Sequence, residues 1–207
     1  MSKKLGKIEK PSINKFESGR KLYCVPLFHI LKESPDEYKD IFNRYWSEVQ
    51  QHLANLEKAG RITRIYCESV SSIDETQLEL IKQQNEKMFN LIKSKLDNGA
   101  NMESLEDKEL FDEYVDWGLC LSIARTQRVA KKILEFYSET GKKRDDHIVK
   151  IIGDTLKNEE TGLLLIRDEN RIRIQSQLPT DIHVFLVRPP ALNDYYRWLR
   201  DRFKSAM

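Results

Sequence analysis

The stretch Gly162–Arg167, which reads GLLLIR, is a nearly continuous apolar run. Strands of a sheet that is covered on both faces carry such runs, because both sides of the strand are buried. The run therefore predicts a buried central strand. It is followed by Asp168-Glu169-Asn170, which is turn chemistry, and by Arg171–Gln175 (RIRIQ), in which basic and apolar residues alternate. Together these stretches predict a β-hairpin.

Three more stretches predict strands of the same sheet. Arg20–Phe28 (RKLYCVPLF) is rich in strand formers, and its proline favours an edge position or the end of pairing. Arg61–Ser69 (RITRIYCES) follows a helix directly. Asp181–Arg188 (DIHVFLVR) stops at a pair of prolines.

Helix signals fill most of the remaining chain. Ser34-Pro35 opens a helix that Gly60 ends, with apolar residues at three- and four-residue spacing between them. Further amphipathic helices are predicted at about 72–96, 105–137, 145–157 and 191–203. We therefore expect a helix-rich α/β protein, with a mixed sheet of four to five strands covered by helices. A long helical insert, about residues 72–157, separates the second strand from the third.

Length and composition are those of an ordinary globular chain. The 207 residues, 40% of them hydrophobic and 33% charged, can bury a single core. We expect a flexible basic tail at residues 1–19 and one domain at 20–207. No apolar run approaches a membrane span, and no secretory signal is recognisable. The three cysteines have no CxxC spacing, which predicts reduced thiols and a cytoplasmic location.

Charge is distributed unevenly along the chain. The net charge is +2, but residues 1–20 carry six Lys/Arg against two acids and residues 161–207 carry eight against five. The intervening residues are therefore acidic, with a net charge of −5. Basic ends on an acidic body could attract an anionic partner, although ordinary charge scatter explains the pattern as well.

The common catalytic and cofactor motifs are missing from the sequence. GxGxxG, the P-loop, GxSxG and HExxH do not occur. No two of the four histidines lie three or four residues apart, so no local metal pair is encoded. We therefore predict no cofactor and no metal site.

One candidate active site follows from the position of strand ends. Ligands of open α/β sheets bind outside the carboxyl ends of the strands. His29, Glu68 and Arg188 each follow a predicted strand, so they would converge if those strands were parallel neighbours. A histidine, a carboxylate and a guanidinium could position an anionic substrate and move a proton. The alternative is a structural salt bridge between Glu68 and Arg188.

Five arginines are candidates for contacting a partner. Arg167, Arg171 and Arg173 would lie on the predicted hairpin, where they could contact phosphates or simply protect an edge strand. Arg197 and Arg200 accompany tyrosines and a tryptophan on the last helix. Such residues dominate protein interfaces, although core packing would also explain the aromatics.

Two stretches resemble known families. Thr155–Glu169 (TLKNEETGLLLIRDE) is similar to the helix-to-strand junction in the third domain of archaeal and eukaryotic-type release factors and Pelota proteins. That resemblance implies an α/β/α sandwich and a translation-associated partner. The catalytic Gly-Gly-Gln tripeptide of release factors is absent, so the resemblance implies no peptidyl-tRNA hydrolysis. The segments from Tyr45 to Ser69 and from Asp181 to Asp201 also resemble an uncharacterised prokaryotic family.

Three functional hypotheses follow. The first is a non-catalytic binding or regulatory protein that contacts a protein or a nucleic acid, and no membrane. The second is a small-molecule hydrolase or transferase with its site at the strand ends. The third is a homodimeric scaffold built through the helix at residues 105–137. A deep pocket would favour the enzyme, and a flat basic face would favour a nucleic-acid partner. A broad exposed apolar helix face would favour the dimer.

Overall fold

The structure is a computed structural model that describes residues 19–28 and 33–205. It confirms a helix-rich α/β fold. The predicted tail, apart from Gly19, and His29 lie outside the described residues. Along the chain the elements are β1 (Arg20–Leu27), α1 (Asp36–Leu56), β2 (Ile62–Cys67), α2 (Glu75–Gln84), α3 (Glu86–Asp97), β3 (Asn101–Glu103), α4 (Lys108–Ile123), α5 (Gln127–Thr155), β4 (Thr161–Arg167), α6 (Asp168–Gln175), β5 (Ile182–Leu186) and α7 (Pro190–Ser205).

The five strands form one sheet in the order β3-β2-β4-β1-β5, and every pairing is parallel. The apolar run Thr161–Arg167 is the central strand, as its composition predicted. Its side chains alternate between two hydrophobic layers: Leu163 and Leu165 contribute to one layer and Leu164 and Ile166 to the other. The first layer contains α1, α2, α3 and α7, and the second contains α5 and α6.

The predicted hairpin is wrong, and with it the mixed sheet. Residues 168–175 form the helix α6, which begins with two acidic residues and carries a basic residue in its last turn. These charges match the helix dipole. Arg171 pairs with Asp168 three residues before it and donates to Gln175 four residues after it. Residues three and four positions apart are neighbours on a helix, whereas a strand holds them far apart. These contacts therefore stabilise the helix, and the alternation of basic and apolar residues does not determine the conformation.

Two other features differ from the prediction. The three-residue strand β3 lies inside the predicted helical insert, and it is too short to show a pattern. β1 is not an edge strand, because it lies between β4 and β5. Pro26 is in register with Ile166 of β4, whereas pairing with β5 ends at Cys24. The proline therefore sits where β1 needs no donor toward β5.

The second layer depends on a glycine at the start of the central strand. A Cβ at Gly162 would lie 2.9 Å from side-chain carbons of both Leu22 and Tyr66. These two side chains occupy the space that any other residue would need. The absence of a side chain thus lets β1, β2 and β4 pack closely beneath α5.

Candidate functional site

All carboxyl strand ends lie on the same edge of the parallel sheet, and two neighbouring connections diverge there. The chain leaves β2 toward the layer of α2 and leaves β4 toward the layer of α6. Adjacent strands whose connections diverge in this way leave a crevice between them, where open α/β sheets bind ligands. In this protein the crevice is occupied by charged side chains.

Glu68, directly after β2, is the centre of a buried charge network. Its Oε1 accepts hydrogen bonds from Arg144 Nη2 at 3.1 Å, from Arg167 Nη2 at 3.0 Å and from the Asn170 amide. Its Oε2 accepts from the backbone N–H of Arg167 at 2.7 Å. The side chain is only 2% exposed, and both oxygens are engaged. Glu68 therefore ties β2, β4, α5 and α6 together.

Arg144 joins a second buried carboxylate to this network. Its Nε donates to Glu106 at 2.8 Å, and its Nη2 donates to the other oxygen of the same carboxylate. Glu106 also accepts from the backbone N–H of Ser69 at 3.1 Å. The arginine and this glutamate are 1% and 0% exposed. The centre of the guanidinium lies 5.2 Å from the Tyr114 ring centroid, within cation–π range.

The network keeps its members charged. Burial alone would raise the pKa of Glu68, but the hydrogen bonds of Arg167 and the charges of Arg167 and Arg144 outweigh it, so the pKa is lowered. Burial would lower the pKa of Arg144, but the hydrogen bonds and charges of Glu106 and Glu68 raise it. A carboxylate with both oxygens occupied and a lowered pKa is not poised to accept a proton. We interpret Glu68 as a structural anchor of this edge.

A second cluster lies on the β1 side of β4. Asp168 accepts from Arg171 Nε at 2.6 Å and from the Tyr196 hydroxyl at 2.9 Å, with Arg188 Nη2 at 3.5 Å. Burial would raise the pKa of Asp168, but its hydrogen bonds to Arg171 and Tyr196 and the charges of Arg171 and Arg188 lower it. Burial, followed by the hydrogen bond and charge of Asp168, raises the pKa of Tyr196 to about 12. The cluster connects α6 with α7 and with the segment between β5 and α7.

The predicted trio is not brought together among the described residues. His29 lies outside them, and two strands, β4 and β1, separate β2 from β5. Glu68 pairs with Arg144 and Arg167, whereas Arg188 pairs with Asp168. The alternative prediction, a salt bridge between Glu68 and Arg188, is therefore wrong.

The predicted partner-binding arginines fall into two groups. Arg167, Arg171 and Arg173 are at the end of β4 and on α6, and each pairs with an acidic side chain of this edge. Arg197 and Arg200 are on α7, with side chains 65% and 63% exposed and acidic neighbours at 3.5 Å. Arg197 and Arg200 are therefore accessible to a partner, whereas Arg171, which is only 9% exposed, is not accessible.

Sequence reasoning missed Arg144 and Glu106. Arg144 had a detectable signal, because it lies four and eight residues before Ile148 and Ile152 on the buried stripe of α5. A charged residue in an apolar stripe indicates a buried ion pair. Glu106 had no comparable signal, since it lies between β3 and α4 in a stretch without periodicity.

A cavity of about 650 Å³ opens beside the buried network, between α4, α5 and α6. Tyr114 and Tyr137 form its aromatic wall, with ring centroids 4.5 Å apart. Its charged lining consists of Lys142, Asp145, Arg167, Glu169 and Arg173. Arg173 Nε donates to Asp145 at 2.6 Å. A larger groove of about 870 Å³ lies between α1 and α7, but charges on its walls pair across it, such as Arg44 with Asp194 at 2.6 Å.

Most of the exposed large hydrophobic residues of the described chain lie on α4 and the first part of α5, residues 108–139, which we name the arm. No residue of α4 is buried, and the helix packs mainly against α5. Six of the ten exposed large hydrophobic residues of the described chain lie here. They are Val115, Leu119, Ile123, Val129, Leu134 and Phe136.

Two other features are absent from residues 19–28 and 33–205. No group of His, Cys, Asp and Glu residues there could hold a metal ion. No helix in this part of the chain is both long enough and apolar enough to span a bilayer. Comparison of the chain with family models, curated proteins and solved structures finds no match, so the resemblance to release factors stays a prediction.

Proposed function

We propose that this chain is a non-catalytic binding protein that pairs with a second copy of itself through the arm. The observation that carries the proposal is the apolar surface of α4, a helix without a single buried residue. Val115, Leu119 and Ile123 are spaced by four residues and form one stripe, 40%, 61% and 76% exposed. A contiguous exposed apolar stripe of this kind marks an interaction surface.

The shape of the arm suits self-association. Two antiparallel helices form half of a four-helix bundle, so two arms can complete one. The aromatic pairs Tyr114–Tyr137 and Trp117–Phe136 stack between the helices at 4.5 Å and 4.8 Å, which holds the half-bundle together. The arm is therefore ordered by its own contacts, and its outer face remains available to a partner.

The charge pattern favours a second copy over an unrelated partner. Residues 108–123 carry four acids and one lysine, whereas residues 124–134 carry four Lys/Arg and no acid. In an antiparallel two-fold pairing, α4 of each copy faces the start of α5 of the other, so opposite charges meet twice. An anionic partner such as a nucleic acid would be repelled by the acidic helix.

The first test measures the mass of the protein in solution by multi-angle light scattering across a concentration series. We expect a dimer for the wild type and a monomer for Leu119→Lys, with the same circular dichroism spectrum. The matched control is Ile172→Lys, which alters a residue that is equally exposed, 61%, but lies on α6. A wild type that remains monomeric at every concentration would overturn the proposal.

A charge-swap experiment tests the partner itself. The variant Asp112→Lys/Asp116→Lys and the variant Arg128→Glu/Lys131→Glu should each be monomeric, because like charges then face each other in the homodimer. Mixed together they should form a heterodimer, since both pairings become attractive again. Failure of the mixture to associate would exclude this antiparallel arrangement.

A cytoplasmic location fits the same proposal. All three cysteines are free, and burial raises the pKa of Cys24 to about 12. Unpaired thiols are typical of reducing compartments. Fractionation of the native cells with an antibody against the chain tests this point, and recovery outside the cytosol would contradict it.

A further inference from the structure

We propose that the 650 Å³ cavity between the arm and α6 binds a mononucleotide, or a phosphorylated aromatic compound of the same size. The cavity opens at the carboxyl edge, next to the crevice between β2 and β4, where α/β sheets place their ligands. Its volume lies within the range of small-molecule sites. The cavity shares Leu134 with the exposed residues of the arm but none of the α4 stripe of Val115, Leu119 and Ile123.

Three cationic side chains provide the phosphate site. Lys142 is exposed and has no ionic or hydrogen-bond partner among the described residues. Arg167 and Arg173 use Nε and Nη2 to bind Glu68 and Asp145, which leaves both Nη1 groups without a partner within the described chain. The carboxylates thus fix the orientation of two guanidinium groups whose remaining donors are free. Oriented guanidinium and ammonium donors are suited to a phosphate.

The other lining groups fit the rest of a nucleotide. Tyr114 and Tyr137 line the cavity as a pair of rings stacked on each other, with Arg144 against Tyr114, so a base would contact the side of this pair that faces the cavity. Glu169 lines the same cavity and makes no hydrogen bond or salt bridge within the described residues, so it can accept hydrogen bonds from sugar hydroxyls. The lining carries three cations and two anions, a net charge of +1 that suits an anionic ligand.

The test is isothermal titration calorimetry with adenosine monophosphate, adenosine, inorganic phosphate and a single-stranded oligonucleotide. We expect adenosine monophosphate to bind more tightly than the other three, because only it uses the cations, the rings and Glu169 in a space of this size. Phosphate or the oligonucleotide binding as tightly, or no binding of adenosine monophosphate, would overturn the proposal.

Variants locate the binding. Lys142→Ala should weaken it about tenfold, the loss expected for one charge-assisted contact. The matched control is Lys143→Ala, the next residue, which pairs with Glu139 and does not line the cavity. Ser138→Trp should block the cavity without changing its charge. Equal affinity in all three variants would place the ligand elsewhere and refute the site. Repeating the titration on Leu119→Lys separates this result from failure of the dimer.

Discussion

Replacing Arg144 by methionine should destabilise the protein strongly, because it leaves a buried carboxylate without a cation. Glu68 keeps Arg167 as a partner, but Glu106, which is fully buried, loses its cation and keeps only the backbone N–H of Ser69. Removing one member of a buried ion pair costs about 3–5 kcal/mol. For a chain of this length each kcal/mol lowers the melting temperature by about 2–4 °C, so we expect a loss of roughly 6–20 °C.

Urea unfolding followed by tryptophan fluorescence and circular dichroism measures this loss as a free energy of unfolding. The matched control is Lys150→Met, an exposed cation on the same helix outside the arm, which should change stability by less than about 0.5 kcal/mol. Adding Glu106→Gln to Arg144→Met should restore part of the stability, because the uncompensated charge is removed.

The reasoning fails if Arg144→Met costs less than about 1 kcal/mol at neutral pH, a value typical of surface ion pairs. It also fails if Arg144→Met and Glu106→Gln are additive in a double-mutant cycle, because coupled members of one network are not additive. Either result would show that the edge is held by packing and not by the charge network.

Three further predictions follow from the same structure. The lowered pKa of Glu68 means that its stabilising contribution is complete above about pH 4.5 and is lost as the pH falls through its folded value, so Glu68→Gln should flatten the acid limb of a pH-stability curve. Gly162→Ala should cost about 1–3 kcal/mol, because its Cβ would lie 2.9 Å from Leu22 and Tyr66, and an unchanged urea midpoint would refute this packing. Gly118→Ala, whose Cβ would meet only Tyr137 at 3.5 Å, should instead stabilise α4 by up to about 1 kcal/mol, and thermal melts distinguish the two signs.

The sequence was informative wherever one element decides its own pattern. The apolar run after Thr161 identified the buried central strand, because both faces of such a strand must be apolar. The spacing of the apolar residues in α1 identified its buried face, which the structure confirms from Tyr38 to Leu53. The stripe at residues 105–137 indicated helix, and α4 and α5 bear this out, with a break at residues 124–126. The predicted end at 137 and new start at 145 are wrong, because α5 is continuous from Gln127 to Thr155.

Other features depended on residues far apart in the chain. The network of Glu68 joins residues 76, 99 and 102 positions away, so no local pattern could reveal it. In the strand order, β4 and β1 lie between β2 and β5. Glu68, which follows β2, is therefore kept away from Arg188, which follows β5. The sequence also could not show that the arm is exposed, because an apolar stripe has the same spacing whether a core or a partner covers it.

The sequence by itself thus determined the class of the fold, the central strand and most helices, since these follow from propensity and periodicity within one segment. Only the tertiary structure decided that Arg171–Gln175 is helical, that Arg144 lies between two buried carboxylates, and that α4 has no buried residue. The physical reason is that burial and ion pairing are properties of contacts between segments, and those contacts exist only after the sheet order is set.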